Sequence, residues 1–142
     1  MASKAAGLPN KTKKMENCNH FILSLGSNED AEIHIASACH HLETLFPAIY
    51  FSEAVYTPPI NCPASKPFLN CVACATTVCS LKEVYAILKN MEENAGRTPE
   101  SKAQGIVPLD IDVLKWNNDI LKPADMERDY IREALHTLCL EN

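Results

Sequence analysis

The sequence predicts an α+β fold, a βαββαβ sandwich in which two helices cover one face of a mostly antiparallel sheet. Three observations carry that reading. Apolar stretches with strand character alternate with stretches of helical spacing. A Pro-rich loop separates the second strand from the third. Near the C-terminal end, Leu109, Ile111 and Val113 alternate with Asp110 and Asp112, the period of a half-buried strand.

Taken in order, Phe21-Ile22-Leu23-Ser24-Leu25 forms a short apolar strand ended by Gly26-Ser27-Asn28. Ser27 or Asn28 is placed to cap a following helix, and Glu29, Asp30 and Glu32 suit its positive N-terminal end. Ile35, Cys39, Leu42 and Phe46 recur at helical spacing before Pro47 stops the helix. Ile49 to Tyr56 reads as a strand, and Thr57 to Pro67, with four prolines, as an ordered loop. Phe68 to Val78 is a long strand. Ser80-Leu81-Lys82-Glu83 is a capping box, and Val84, Leu88 and Met91 form one helical stripe. Asn94 to Val107 is a polar loop leading to the Asp110/Asp112 strand. Two helices on one face of a sheet in this order make a ferredoxin-like sandwich.

Length and composition set outer bounds. The 142 residues fit one domain, read as 19–142, behind a flexible basic tail at 1–18 that holds Lys4, Lys11, Lys13 and Lys14. With 46% apolar and 22% charged residues, the composition is that of an ordinary globular protein. No apolar run approaches the roughly 20 residues of a membrane span, and the tail lacks the apolar core of a secretory signal, so the expected location is cytoplasmic. Residues 19–142 carry nine basic and seventeen acidic side chains. That balance argues against a nucleic-acid partner and admits a phosphorylated small ligand only together with metal ions. Protein partners are not indicated. The seven cysteines are read as reduced and mostly buried. Cys71 and Cys74, three apart on one strand, point to opposite faces and cannot share an ion.

Asp110 and Asp112 are the sharpest chemical signal. Side chains two apart on a strand share a face about 7 Å apart, and two carboxylates so placed repel unless a cation lies between them. Mg²⁺ typically takes one or two carboxylates and completes its shell with water and phosphate oxygens. A bare Asp-x-Asp also occurs as a solvated strand face, so the remaining motifs decide.

Those motifs are Leu25-Gly26-Ser27-Asn28, Tyr56-Thr57-Pro58-Pro59, Phe68-Leu69-Asn70, Glu92 with Gly96-Arg97, and Leu109-Asp110-Ile111-Asp112. In this order, over about residues 20 to 121, the chain resembles 6-hydroxymethyl-7,8-dihydropterin pyrophosphokinase, the folate-pathway enzyme that moves a diphosphate from ATP to a pterin alcohol. The resemblance implies the ferredoxin-like fold, two Mg²⁺ ions bound with ATP by Asp110 and Asp112, and a phosphate contact from Arg97. It implies that Thr57, Pro58 and Ile60 present backbone groups to the pterin edge. It also implies that Phe68 stacks on the ring, that Asn70 hydrogen-bonds it as donor and acceptor, and that Glu92 stands near the nucleotide. Taken singly, each residue also fits a plainer role. Asn70 fits a strand-end polar residue, Phe68 a core aromatic and Thr57-Pro58 a rigid turn. Arg97 fits a helix-terminal cation and Glu92 an exposed helix residue.

The chain departs from the family pattern in the basic loop and the C-terminal segment. Val107 stands where an arginine is implied, Gln104 where a tryptophan is, and Lys102 is the loop's one cation after Arg97. The implied Pro-His segment is missing, as are the Arg and the second stacking Phe that follow it. Tyr130 or Trp116 is left to supply the second ring, and Arg128 and Arg132 are either nucleotide contacts or surface cations. An arginine on a transferring phosphate is worth several powers of ten in rate, so weakened transfer is the expectation. The alternative is a non-catalytic descendant that binds pterin or nucleotide.

Overall fold

The computed structural model describes residues 18–59 and 66–141. Ile60, Cys62 and the basic tail up to residue 17 lie outside the described residues. The elements are β1 (Asn19–Ser27), α1 (Ala31–Leu45), β2 (Ile49–Phe51), β3 (Val55–Thr57), β4 (Phe68–Thr77), α2 (Leu81–Asn94), α3 (Pro99–Ala103), β5 (Asp110–Trp116), β6 (Asp119–Ile120), α4 (Pro123–Met126) and α5 (Asp129–Glu141). The sheet is antiparallel throughout, in the order β2-β4-β1-β5-β6, with β3 continuing the β2 edge along β4. The ferredoxin-like α+β sandwich read from the sequence is the fold observed.

Alternation along the strands sorts the sheet into two faces. Phe21, Leu23 and Leu25 of β1, Leu69, Cys71 and Ala73 of β4, and Ile111 and Val113 of β5 pack under α1 and α2. There they meet Ile35 and Leu42 of α1, and Val84, Leu88 and Met91 of α2. Leu23, Leu42 and Val84 are fully enclosed. The opposite face carries Ile22, Val72, Cys74 and Leu114, and α5 lies on it through Ile131, Ala134 and Leu138. The C-terminal helix is thus an addition beyond the βαββαβ unit. A register shift at Ile22/Leu23 makes Leu114 the extra residue of a bulge. Leu114 faces α5 and Val113 the α1/α2 layer, and the shift brings Trp116 into that layer as well.

Several local expectations are met and others are corrected. The Ser80 capping box forms, with Glu83 N–H donating to Ser80 Oγ (3.1 Å) and Ser80 N–H to Glu83 Oε1 (2.8 Å). Neither Ser27 nor Asn28 caps α1. Asp30 occupies the cap in a left-handed conformation without a side-chain bond. Asn28 is spent elsewhere. Its Oδ1 accepts from Val107 N–H (2.6 Å), its Nδ2 donates to Gly105 O (2.8 Å), and its own N–H donates to Val107 O (2.9 Å).

The strand read over Ile49–Tyr56 is broken in the middle. Ser52 N–H donates to Val72 O (2.8 Å) while Ser52 Oγ accepts from Val72 N–H (2.9 Å). A side chain thus completes the ladder, and the backbone is freed to bend. The polar loop before β5 holds the short helix α3, started by a Thr98/Ser101 capping box. Among the described residues Cys18, Cys39, Cys71 and Cys79 are free thiols. No helix among them is long and apolar enough to cross a membrane.

Candidate active site

One end of the sheet face that carries α5 is polar. Gly26 of β1 pairs across the sheet with Asn70 of β4 on one side and Asp110 of β5 on the other. Ser24 pairs with Asp112, and Thr57 of β3 pairs with Phe68 of β4. Strand alternation therefore brings Asp110, Asp112, Phe68 and Asn70 to a common face, where Thr57 and Pro58 border them from the edge strand. Together these side chains line a single cleft, which Asp125, Arg128 and Tyr130 close from the α4–α5 side. Gly26 is needed for its lack of a side chain. A Cβ there would stand 3.2 Å from Asn70 Oδ1 and 3.6 Å from the Phe68 ring.

The carboxylates are not equivalent. Asp110 Oδ1 accepts from Arg97 Nη1 (2.7 Å), whereas among the described residues no cation forms such an ion pair with Asp112. Burial, and then the charge of Asp110, push the Asp112 carboxyl up to about 6. An Asp in this state lacks neighbouring positive charge, which a divalent cation would supply. Among the described residues no group of three or more His, Cys, Asp or Glu is placed to hold a metal. The donor set is two strand carboxylates, which suits a hydrated Mg²⁺ sharing phosphate oxygens rather than an all-protein cage.

Arg97 and Glu92 stand behind Asp110 instead of lining the cleft. Gly96, at φ 100°, turns the chain sharply past α2 and sends Arg97 back under β5. Arg97 Nη1 also meets Glu92 Oε2 (3.0 Å), and Glu92 Oε2 accepts from the Ile111 N–H (2.7 Å). Burial raises the Glu92 carboxyl above its ordinary range. Burial opposes the Arg97 charge, but the hydrogen bond and charge of Asp110 outweigh it and hold the guanidinium protonated. Glu92 and Arg97 thus fasten α2 to the backbone of β5 and fix where Asp110 points.

Asn70 differs from the expectation in one respect. Its Nδ2 donates to Thr57 Oγ1 (2.6 Å) and to Phe68 O (3.1 Å). A backbone carbonyl only accepts, so the amide nitrogen must face Phe68 O and the oxygen must face the cleft. Both amide protons are taken within the protein, and Asn70 offers a ligand an acceptor alone. The two candidates for a second ring also separate. Trp116 packs at 5.4 Å from Phe21 in the α1/α2 layer, while Tyr130 is in the cleft wall. The Arg128 guanidinium lies 4.6 Å from the Tyr130 ring centroid. Arg132 is exposed on α5 and Lys102 lines a separate groove beside Arg97. The sequence did not mark Asp125 as a cleft residue, because a lone Asp in a four-residue helix carries no periodic signal.

A sequence model of the 7,8-dihydro-6-hydroxymethylpterin-pyrophosphokinase family matches residues 22–140. The chain belongs to that family. No curated protein matches it significantly. The pyrophosphokinase match spans β1 to α5, so it includes every cleft residue described above.

Proposed function

We propose that this protein transfers the diphosphate of ATP to the hydroxymethyl oxygen of 6-hydroxymethyl-7,8-dihydropterin, releasing AMP. The observation that carries the reading is the convergence of the Asp110/Asp112 pair and the Phe68/Asn70 pair in one cleft of a chain of this family. A flat heterocycle needs an aromatic face and a few directed polar groups, which Phe68, Tyr130 and Asn70 provide. Asp110 and Asp112 would hold Mg²⁺ with the phosphate chain, two ions being the number the resemblance implies. Bound there, the metal would neutralise the phosphate oxygens and align them for in-line attack. Arg128 lines the cleft and would meet the phosphates from the α4–α5 side. Arg97 acts from behind by orienting Asp110. Thr57 and Pro58 border the pterin from the edge strand.

A second reading, a family member that binds without turnover, is favoured by the loop. Val107 brings no charge, and Lys102 belongs to another groove. Calorimetric titration with 6-hydroxymethylpterin, with and without Mg²⁺ and a non-hydrolysable ATP analogue, tests the binding that both readings share. Asp110→Ala or Asp112→Ala is expected to abolish Mg-dependent nucleotide binding. Asn70→Ala is expected to weaken pterin binding by about 1–3 kcal/mol, the cost of an unpaired ligand group. Unchanged nucleotide affinity in both aspartate variants overturns the metal assignment, and unchanged pterin affinity in Asn70→Ala moves the pocket elsewhere.

A further inference from the structure

Asn28 is a buried polar residue that does not line the cleft; it is 5% exposed. Its bonds go to the stretch of chain that leads into β5. Its N–H donates to Val107 O (2.9 Å), its Oδ1 accepts from Val107 N–H (2.6 Å), and its Nδ2 donates to Gly105 O (2.8 Å).

Pro108 is the reason a side chain is needed there. The β1–β5 ladder ends at the pair Gly26–Asp110. Continued in register, it would set Asn28 against Pro108, which has no N–H to donate. Asn28 pairs with Val107 instead, and its side chain supplies the acceptor that continues the pairing beyond the proline. A carboxamide suits the task because it carries an acceptor for Val107 N–H and a donor for Gly105 O at once. An aspartate has only acceptors, and its charge would face the Gly105 carbonyl.

The place of this clamp bears on Asp110. Asp110 is the first residue of β5, so the ladder runs on from it in one direction only. Strand ends open locally at low cost, and a clamp beyond the end removes that freedom. We propose that Asn28 is a positioning residue for the β5 carboxylates. By holding the chain at Val107 it closes the entry to β5, so that Asp110 and Asp112 present one fixed face to a Mg²⁺–phosphate ligand. This inference rests on the reading of that pair as the Mg-nucleotide half of the site. The pterin half is carried by β3 and β4 and does not depend on the clamp.

Asn28→Asp keeps an acceptor for Val107 and loses the donor to Gly105, and Asn28→Ala loses both. The probes are a non-hydrolysable ATP analogue at fixed Mg²⁺ and, with that site saturated, 6-hydroxymethylpterin. Nucleotide affinity is expected to fall about 2- to 10-fold in Asn28→Asp, the range of one hydrogen bond lost, and further in Asn28→Ala. Pterin affinity is expected to stay at the wild-type value. A residue that only stabilised the fold would weaken both ligands together. The coupling must also run in reverse, so nucleotide binding tightens the clamp. In the wild-type protein, Val107 N–H is therefore expected to exchange with solvent more slowly once Mg²⁺ and the analogue are bound, by a larger factor than the β4 amides. That readout needs no variant. Unchanged nucleotide affinity in folded Asn28→Ala, equal losses for nucleotide and pterin, or a Val107 exchange rate indifferent to nucleotide overturns the inference while the reading of the site stands. A wild-type protein that binds no nucleotide with Mg²⁺ overturns both.

Discussion

At the scale of the residue, charge and hydrogen bonding at Asp110, Asp112 and Asn70 define the site. Arg97 neutralises Asp110, and burial leaves Asp112 short of a partner. The consequence for stability has a definite sign. The folded state holds a proton on Asp112 up to about pH 6, against an ordinary value of 3.8. Its contribution to stability is therefore present in full below the ordinary value and lost as pH rises through about 6. At neutral pH the ionised carboxylate is a liability in the metal-free protein. Asp112→Asn is expected to stabilise that protein by about 1–2 kcal/mol at pH 7, allowing for solvent screening in an open cleft. The gain is expected to shrink toward pH 5. Denaturant unfolding of both forms at the two pH values checks this, and a variant less stable than wild type at pH 7 contradicts it. Asp110 and Asp112 were legible in the sequence because two-residue alternation fixes their common face. The one-sided chemistry of Asn70 was not legible, since it depends on Phe68 O and Thr57 Oγ1 meeting its amide in three dimensions.

At the scale of the element, patterns confined to one segment were read well. The Ser80 capping box and the Val84, Leu88, Met91 stripe rest on local geometry, and both are present. The features that were misread depend on partners distant in sequence. Asn28 forgoes the α1 cap because Gly105 and Val107, far along the chain, satisfy its side chain. The Ile49–Tyr56 strand splits because Ser52 bonds Val72 through both backbone and hydroxyl. Glu92 was read from its motif, yet its function as a fastener between α2 and β5 required the structure. Glu92→Ala removes the acceptor of the Ile111 N–H and the partner of Arg97. It is expected to destabilise the fold by about 1–3 kcal/mol. A melting temperature unchanged from wild type would refute that role.

The loop before β5 makes its own prediction. Asn28 pins the Val107 backbone on both sides, so a longer side chain there extends from a fixed anchor. Val107→Arg is expected to raise turnover and leave pterin affinity unchanged, since a guanidinium binds phosphate oxygens in a bidentate manner. Steady-state AMP release from the two forms decides the matter. A fall in turnover with the fold intact would mean that Arg128 already meets the need.

At the scale of the whole molecule, the sheet divides the labour between its two faces. One face is an apolar layer under α1 and α2 that sets the strand register. The other is capped by α5 along its middle and left polar at the end where Gly26, Asn70 and Asp110 are neighbours across three strands. The βαββαβ order was legible because periodicity marks its strands and helices, with a capping box at the second helix. The return of the C-terminal segment onto the cleft was not legible, because Tyr130 lies in a helix, with Arg128 just before it, whose sequence does not say which face it will cover. The acidic body makes the proposed reaction exacting, since ATP would have to be bound with metal charge and few cations. Steady-state AMP release from Mg-ATP, measured with and without 6-hydroxymethyl-7,8-dihydropterin, tests that claim most directly. The account predicts AMP release that requires the pterin, matches the pterin diphosphate formed, and disappears in Asp110→Ala. Absence of pterin-dependent AMP from folded protein that binds both ligands would contradict it.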